Sequence, residues 1–133
     1  MEYLLDTNIC IYIIKKKPIQ VFEKLISLNP GQVGISSITL AELQYGVAKS
    51  TNSKSNSEAL EKFLVPLEIL EFDSLAAVEY GRIRTNLEKN GTPIGPMDLL
   101  IAANAIAENL VLVTNNEREF ERVEGLKIEN WTK

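Results

Sequence analysis

Short apolar, strand-like segments alternate with helix-like segments along the whole chain. The strands are predicted at residues 3–5, 33–36, 67–72, 110–113 and 127–128. Strands that alternate with helices pair in parallel, and the helices cover both faces of the sheet. We therefore expect one α/β domain over residues 1–133, with a mostly parallel central sheet of about five strands flanked by helices.

The segments between the strands carry helical signals. Helices are predicted at residues 9–14, 38–49, 58–64, 74–89 and 117–123, and two more begin at Pro18 and Pro96. The serine-rich stretch 50–57 is expected to be a mobile loop. In parallel sheets ligands bind beyond the carboxyl ends of the strands, so that edge is where chemistry is expected.

The chain contains no histidine and one cysteine, Cys10. These counts exclude a Ser-His-Asp or Cys-His nucleophile system, a histidine-ligated metal site and an intrachain disulfide. A chain without disulfides suits a reducing cytoplasm. An enzyme built from this sequence has to use carboxylates, lysines, hydroxyls, backbone groups or a hard metal ion.

The formal net charge is −4, whereas proteins that coat nucleic acid without sequence preference are usually basic. A metal-dependent nuclease can still be acidic, because a cation offsets its carboxylates. Glu2 and Asp6 interrupt the first apolar stretch, which argues against a signal peptide. No 18-residue apolar run is present, so no membrane span is expected.

Two of the three aspartates stand at predicted helix starts near the functional edge of the sheet. Asp6 follows the first strand, where it can cap a helix or face a ligand. Asp98 is the third residue of a helix that begins at Pro96, so the helix dipole is expected to lower its pKa. That position suits either a structural carboxylate or a permanently charged metal ligand.

Two glutamates are also expected near this edge of the sheet. Glu42 follows Thr39 by three residues, which is a capping-box pattern, although Ser36 or Ser37 can equally cap that helix. Glu119 follows the strand at 110–113, where neighbouring glutamates are equally consistent with a solvated acidic face. A parallel sheet brings these places together, and clustered carboxylates repel unless a hard cation such as Mg²⁺ or Mn²⁺ joins them.

Four blocks of sequence, in this order, resemble the PIN-domain ribonucleases and specifically the VapC-type toxins of bacterial toxin–antitoxin modules. They are Leu-Leu-Asp-Thr-Asn at 4–8, Ser-Ser-Ile-Thr-Leu-Ala-Glu-Leu-Gln-Tyr-Gly at 36–46, Pro-Ile-Gly-Pro-Met-Asp-Leu-Leu-Ile-Ala-Ala at 93–103 and Leu-Val-Thr-Asn-Asn-Glu-Arg-Glu-Phe-Glu-Arg-Val at 112–123. The Glu-Asn-Trp ending at 129–131 is also similar to the family. The resemblance covers essentially the full length and implies the PIN fold.

The resemblance implies a Mg²⁺-dependent endoribonuclease, with Mn²⁺ as a substitute metal. Asp6 and Asp98 match the metal-binding aspartates of the family, and Glu42 matches its third acid. The fourth acid varies in placement among relatives, and Glu119 is the candidate here because it stands before Phe120 and matches the acid of a Glu-Phe or Asp-Phe element. Asn116 stands at another place where relatives often carry aspartate, which leaves a second metal position open. The supporting polar residues at this edge are expected to be Thr7, Asn8, Thr114 and Asn116.

The resemblance also implies partners. The expected substrate is RNA, with tRNA as the target class and initiator tRNA as the target of the most similar subgroup. The expected protein partners are a VapB-type antitoxin and a second copy of the chain. RNA phosphates require cations, and the candidate RNA- or antitoxin-contact residues are Arg82, Arg84, Arg118 and Arg122.

Three other readings of the sequence remain open at this stage. Phosphotransfer enzymes of the haloacid-dehalogenase type use an aspartate nucleophile in an Asp-x-Asp motif, whereas the second position here is Asn8. A receiver domain requires an acidic pair, and Asp6 has no acidic neighbour. A PIN-like module that only binds RNA or a partner would not need Asp6, Glu42 and Asp98 together.

Overall fold

The sheet contains five strands, and every neighbouring pair is parallel. The computed structural model describes all residues 1–133. The strands are β1 (Tyr3–Leu5), β2 (Val33–Ser36), β3 (Glu68–Leu70), β4 (Val111–Val113) and β5 (Lys127–Glu129), in the spatial order β3-β2-β1-β4-β5. The expected α/β architecture is therefore confirmed, with β3 shorter than the predicted 67–72.

Seven helices connect the strands and flank the sheet. They are α1 (Thr7–Lys15), α2 (Ile19–Ile26), α3 (Ser37–Lys49), α4 (Ser53–Leu64), α5 (Ser74–Lys89), α6 (Pro96–Ala107) and α7 (Glu117–Phe120). All predicted helices are present, and α7 is shorter than the predicted 117–123. None of them is both long and apolar enough to cross a bilayer.

The expectation of a mobile loop at 50–57 is wrong, because α4 already begins at Ser53. The later turns of α4 are anchored in the core by Leu60 and Phe63, which are 3% and 9% exposed. Once those turns are packed, each added residue extends the helix at the cost of ordering only itself. The polar stretch is therefore drawn into the helix by packing that its own composition does not reveal.

The strand residues alternate between two apolar clusters on opposite faces of the sheet. Leu4 and Leu112 join the cluster formed with α5 and α6. Leu5 and Val113 join the cluster formed with α1, α2, α3 and α4. Because consecutive strand side chains point to opposite faces, these strands must be apolar at every position.

The strand order reverses at β1, which lies between β2 and β4. The helix after β1 and the helix before β4 both have their N-termini at the carboxyl edge of the sheet. A crevice forms at such a reversal, and it is the usual ligand position in parallel sheets. Asp6 follows β1 directly and therefore lies at this point.

The middle of β2 tolerates only glycine. A Cβ on Gly34 would lie 2.6 Å from the carbonyl oxygen of Glu68 and 2.8 Å from Sδ of Met1. We expect Gly34→Ala to destabilise the fold by about 1–3 kcal/mol, because backbone cannot move aside as a flexible side chain can. Thermal and urea unfolding measure this loss.

Gly46 in α3 is the matched control, since a Cβ there would meet nothing within 4 Å. Gly46→Ala is expected to stabilise by about 0.5–1 kcal/mol, because alanine loses less backbone entropy in a helix. Equal unfolding midpoints for the two variants would contradict the steric argument.

Candidate active site

Asp6 is buried at the carboxyl end of β1 and caps α1. Its side chain is 4% exposed, and Oδ1 accepts the N–H of Ile9 at 2.9 Å. Burial raises the pKa of Asp6 to about 6, although the Thr114 hydroxyl and the Ile9 N–H partly oppose this shift. The capping bond engages one of the two carboxylate oxygens, so the capping role does not exclude a ligand role.

Asp98 is the third residue of α6 and lies beside three other acids. The expectation that the helix dipole lowers its pKa is wrong, because burial and the charges of its acidic neighbours raise it to about 6. Those neighbours are Glu119, Asp6 and Glu42. A helix dipole contributes only about 0.3–1 kcal/mol at an exposed end, less than the opposing effects of desolvation and three nearby carboxylates.

Glu42 is held by a hydroxyl from the segment that follows β1. Thr7 Oγ1 donates to Oε1 of Glu42 at 2.6 Å, and the Thr39 hydroxyl lies 3.4 Å from Thr7 Oγ1. The cap of α3 is Ser36, whose Oγ accepts the N–H of Ile38 at 3.0 Å. The capping-box interpretation of Thr39 and Glu42 is therefore wrong, and Glu42 is free to face the site.

Glu119 joins α7 to the segment that leads into α6. Oε1 accepts the N–H of Gly95 at 2.6 Å, and Oε2 accepts Nδ2 of Asn116 at 2.9 Å. The Gly95 N–H is the main reason that the pKa of Glu119 is lowered, with Asn116 and Arg122 adding to the effect. Glu119 therefore stays ionised beside Asp98.

Of the supporting residues, three contact the acids and one does not. Thr114 is fully buried, and its Oγ1 accepts the N–H of Asn116 at 2.9 Å. Thr7 and Asn116 hold Glu42 and Glu119 as described above, whereas Asn8 is exposed on α1 and makes no side-chain hydrogen bond. Sequence reasoning missed Gly95, whose backbone role is signalled only by its place before the helix-starting Pro96.

The four arginines divide into three that are engaged and one that is free. Arg82 pairs with Glu79 at 2.9 Å and Arg84 with Glu88 at 3.2 Å, all on α5. Arg122 donates to the carbonyl oxygen of Pro93 at 2.9 Å, in the segment before α6. Arg118 is exposed, lies next to Glu119 in sequence, and makes no hydrogen bond or ion pair within the chain.

The donor set at this edge fits a hard divalent cation. All four candidate ligands are carboxylates, and Mg²⁺ and Mn²⁺ prefer oxygen. No three of these side chains converge closely enough to enclose an ion by themselves. Mg²⁺ does not require such a cage, since it usually keeps several waters and binds through one or two carboxylates.

An apolar groove lies beside this acidic edge. One section, of about 240 Å³, has Glu42 and Lys15 on its wall. A second section, of about 560 Å³, is lined by residues of α1, α2 and α4, among them Phe22 and Ile26. Ile14 and Ala59 line both sections, so the groove runs from the acidic edge across α1.

The charge of Asp98 should destabilise the fold when no divalent metal is present. Its pKa of about 6 lies above the ordinary 3.8. The loss of folding stability is therefore complete above pH 6 and disappears as the pH falls toward 4. We expect Asp98→Asn to raise Tm by about 2–5 °C at pH 7 in EDTA, with a smaller gain at pH 4.5. Thermal scans across this range measure the difference.

Asp73→Asn is the control, because exposed Asp73 also caps a helix, with Oδ1 accepting the N–H of Ala76 at 3.0 Å. Asparagine caps as well as aspartate does, so the Tm of this variant should stay close to that of the wild type. A gain at Asp98 that did not change between pH 4.5 and 7 would show that its charge is not the cause.

The chain is similar to proteins of one known family over nearly its whole length. Residues 3–126 match the family model described as PIN domain. Ribonuclease VapC2 of Rickettsia felis is 51% identical over 134 residues, covering 100% of both chains. The tRNA(fMet)-specific endonuclease VapC of Shigella flexneri is 46% identical over 132 residues, covering 99% of each.

The fold agrees with the sequence comparison. The crystal structure of VapBC2 from Rickettsia felis bound to a promoter DNA fragment superposes with a TM-score of 0.93 at 50% identity, over 98% of this chain and 99% of that one. DNA-bound VapBC from Salmonella typhimurium also gives a TM-score of 0.93, at 47% identity and 98% coverage of both chains. The chain therefore belongs to the PIN-domain family, within its VapC group.

Proposed function

We propose that this chain is a Mg²⁺-dependent endoribonuclease that cuts tRNA and acts as the toxin of a toxin–antitoxin module. The observation that carries the proposal is the meeting of Asp6, Glu42, Asp98 and Glu119 at the reversal point of the sheet. Relatives over the full length are ribonucleases, including two tRNA(fMet)-specific endonucleases. Initiator tRNA is therefore the proposed target, and the cytoplasm the proposed site of action.

Asp6 and Asp98 are the proposed metal-holding residues. Burial raises the pKa of both carboxyls, and the charges of neighbouring acids add to the shift, which supports a cation beside them. Bound Mg²⁺ would offset these charges, contact the scissile phosphate and lower the pKa of the attacking water. The protein then contributes mainly position and charge, as in other phosphate chemistry.

Glu42 and Glu119 have different proposed roles because their oxygens are differently engaged. The Thr7 hydroxyl orients Glu42 through Oε1, so Oε2 can accept a proton from the attacking water. Both oxygens of Glu119 carry hydrogen bonds from Gly95 and Asn116. Glu119 therefore fixes the start of α6, and with it Asp98, while adding negative charge to the site.

The test is cleavage of initiator and elongator methionine tRNA by the protein purified free of antitoxin. We expect Asp6→Asn, Glu42→Gln and Asp98→Asn each to lower kcat by about 100-fold or more. Asn at position 6 keeps the cap of α1, so the variant remains folded. EDTA should abolish cleavage, and Mg²⁺ or Mn²⁺ should restore it.

Asp73→Asn serves as the folded control in this assay, with activity equal to wild type. The products are expected to carry 5′-phosphate and 3′-hydroxyl ends, which a 5′-phosphate-dependent exonuclease can check. Equal cleavage by wild type and Asp6→Asn would contradict the proposed metal-dependent mechanism. Cleavage of both tRNAs at the same rate would remove the initiator-tRNA assignment but leave the nuclease intact.

Arg118 is the proposed phosphate contact outside the metal site, because its guanidinium has no partner within the chain. We expect Arg118→Ala to raise KM several-fold and to reduce the slope of log affinity against log salt by about 0.7, the value of one single-stranded RNA phosphate. Arg82→Ala, whose side chain is paired with Glu79, should change neither quantity. If Arg118→Ala leaves the slope of log affinity against log salt unchanged, Arg118 does not contact an RNA phosphate.

A VapB-type antitoxin is the proposed partner, since similar structures contain VapB together with VapC. The apolar groove across α1 is the proposed binding site for this antitoxin. Ile26 is 64% exposed in the groove, and Lys15, Lys16 and Lys62 border the groove. These features suit an amphipathic segment with acidic flanks that runs toward Glu42.

The homodimer implied by the sequence resemblance remains a proposal. Leu75 and Val78 are 61% and 70% exposed on α5, and both lie away from the groove. By contrast Ile9, Ile13 and Phe63 are buried in the core. The surface of α5 is therefore the proposed contact between copies.

A further inference from the structure

Asn104 is a polar residue in the most apolar helix of the chain. Its neighbours in α6 are buried and apolar: Ile101, Ala102, Ala103 and Ala105. Asn104 itself is 1% exposed. A buried amide is costly unless its hydrogen bonds are made, so its partners determine what it does.

Both ends of the Asn104 amide are paired. Oδ1 accepts the hydroxyl of Ser36 at 2.7 Å, and Nδ2 donates to the carbonyl oxygen of Glu71 at 3.2 Å. Ser36 ends β2 and caps α3 through the N–H of Ile38. One side chain therefore joins α6, the start of α3 and the segment after β3.

The two helices joined in this way each carry an acid of the site. Asp98 lies six residues before Asn104 in α6, and Glu42 lies six residues after Ser36 in α3. At 1.5 Å per residue, each acid stands about 9 Å along its helix from the joint. A tilt of about 6° at the joint would move either carboxylate by about 1 Å, and such a displacement can cost about 100-fold in rate.

Stability alone gives a weak reason for an amide at this place. A hydrogen bond contributes only about 1 kcal/mol net, and an apolar group of the same shape can replace a buried polar pair at little cost. The Asn104–Ser36 bond adds a directional contact, which fixes the orientation of α3 relative to α6.

We propose that Asn104 is a positioning residue that sets Glu42 against Asp98 through Ser36. The inference rests on the proposed ribonuclease function. It extends that function to a residue that touches neither the site nor the substrate. Loss of the bond should change how the site is assembled more than it changes the binding of RNA.

Asn104→Leu tests the proposal, because leucine has a similar size and no hydrogen-bonding group. We expect kcat to fall about 10-fold or more while KM stays within about twofold. Mn²⁺ affinity, measured by calorimetry without RNA, should also fall. The control is Ile101→Val, which removes a methyl group one turn away in the same helix and should lower Tm but leave kcat and Mn²⁺ affinity unchanged.

Ser36→Ala removes the same bond from the side of α3, and it is the test variant if Asn104→Leu does not fold. Both changes break the Asn104–Ser36 bond, and each also removes one other bond, to the carbonyl oxygen of Glu71 or from the N–H of Ile38. The losses of kcat in the double variant should therefore be less than additive.

The positioning role would be overturned, and the proposed function left standing, if folded Asn104→Leu kept kcat and Mn²⁺ affinity within twofold of wild type. If Asn104→Leu does not fold, the same result for Ser36→Ala decides the question. A wild-type protein that neither cuts RNA nor binds Mn²⁺ would overturn the proposed function together with the positioning role.

Discussion

The mutual repulsion of four carboxylates is the constraint on which the structure of this site depends. Asp6, Glu42, Asp98 and Glu119 come from four different elements and meet at one edge of the sheet. Each is partly or fully shielded from water, so the repulsion is weakly screened. The fold holds these charges together with fixed donors, and a hard cation would remove the remaining cost.

The donors that hold the acids belong largely to the parts of the fold that place them. Asp6 is fixed by a backbone N–H of the helix that it caps. Glu119 is fixed by the N–H of Gly95, just before α6 begins. The contacts that order the site are therefore part of the fold itself, and a shift of α3 or α6 would change the site directly.

The sequence predicted most of the fold because the central strands β1 and β4 carry no charged or strongly polar residue and the helices have clear start signals. The predicted topology placed Asp6, Glu42 and Asp98 near one edge of the sheet, and the family resemblance singled out Glu119 among the neighbouring glutamates. The sequence-based prediction failed at 50–57, where distant packing of Phe63 overrides a polar composition. It failed again at Asp98, where the pKa depends on neighbours that are remote along the chain.

The sequence by itself narrowed the class of chemistry, because an enzyme without histidine has to use carboxylates, lysines, hydroxyls, backbone groups or a hard metal ion. Only the tertiary structure decided which groups act together. Thr7 turns Glu42 toward the site, Gly95 and Asn116 hold Glu119, and Arg118 is left without a partner. The Thr7–Glu42 and Gly95–Glu119 contacts join residues far apart in the sequence. No local pattern encodes a distance between two groups that the sheet topology alone brings together.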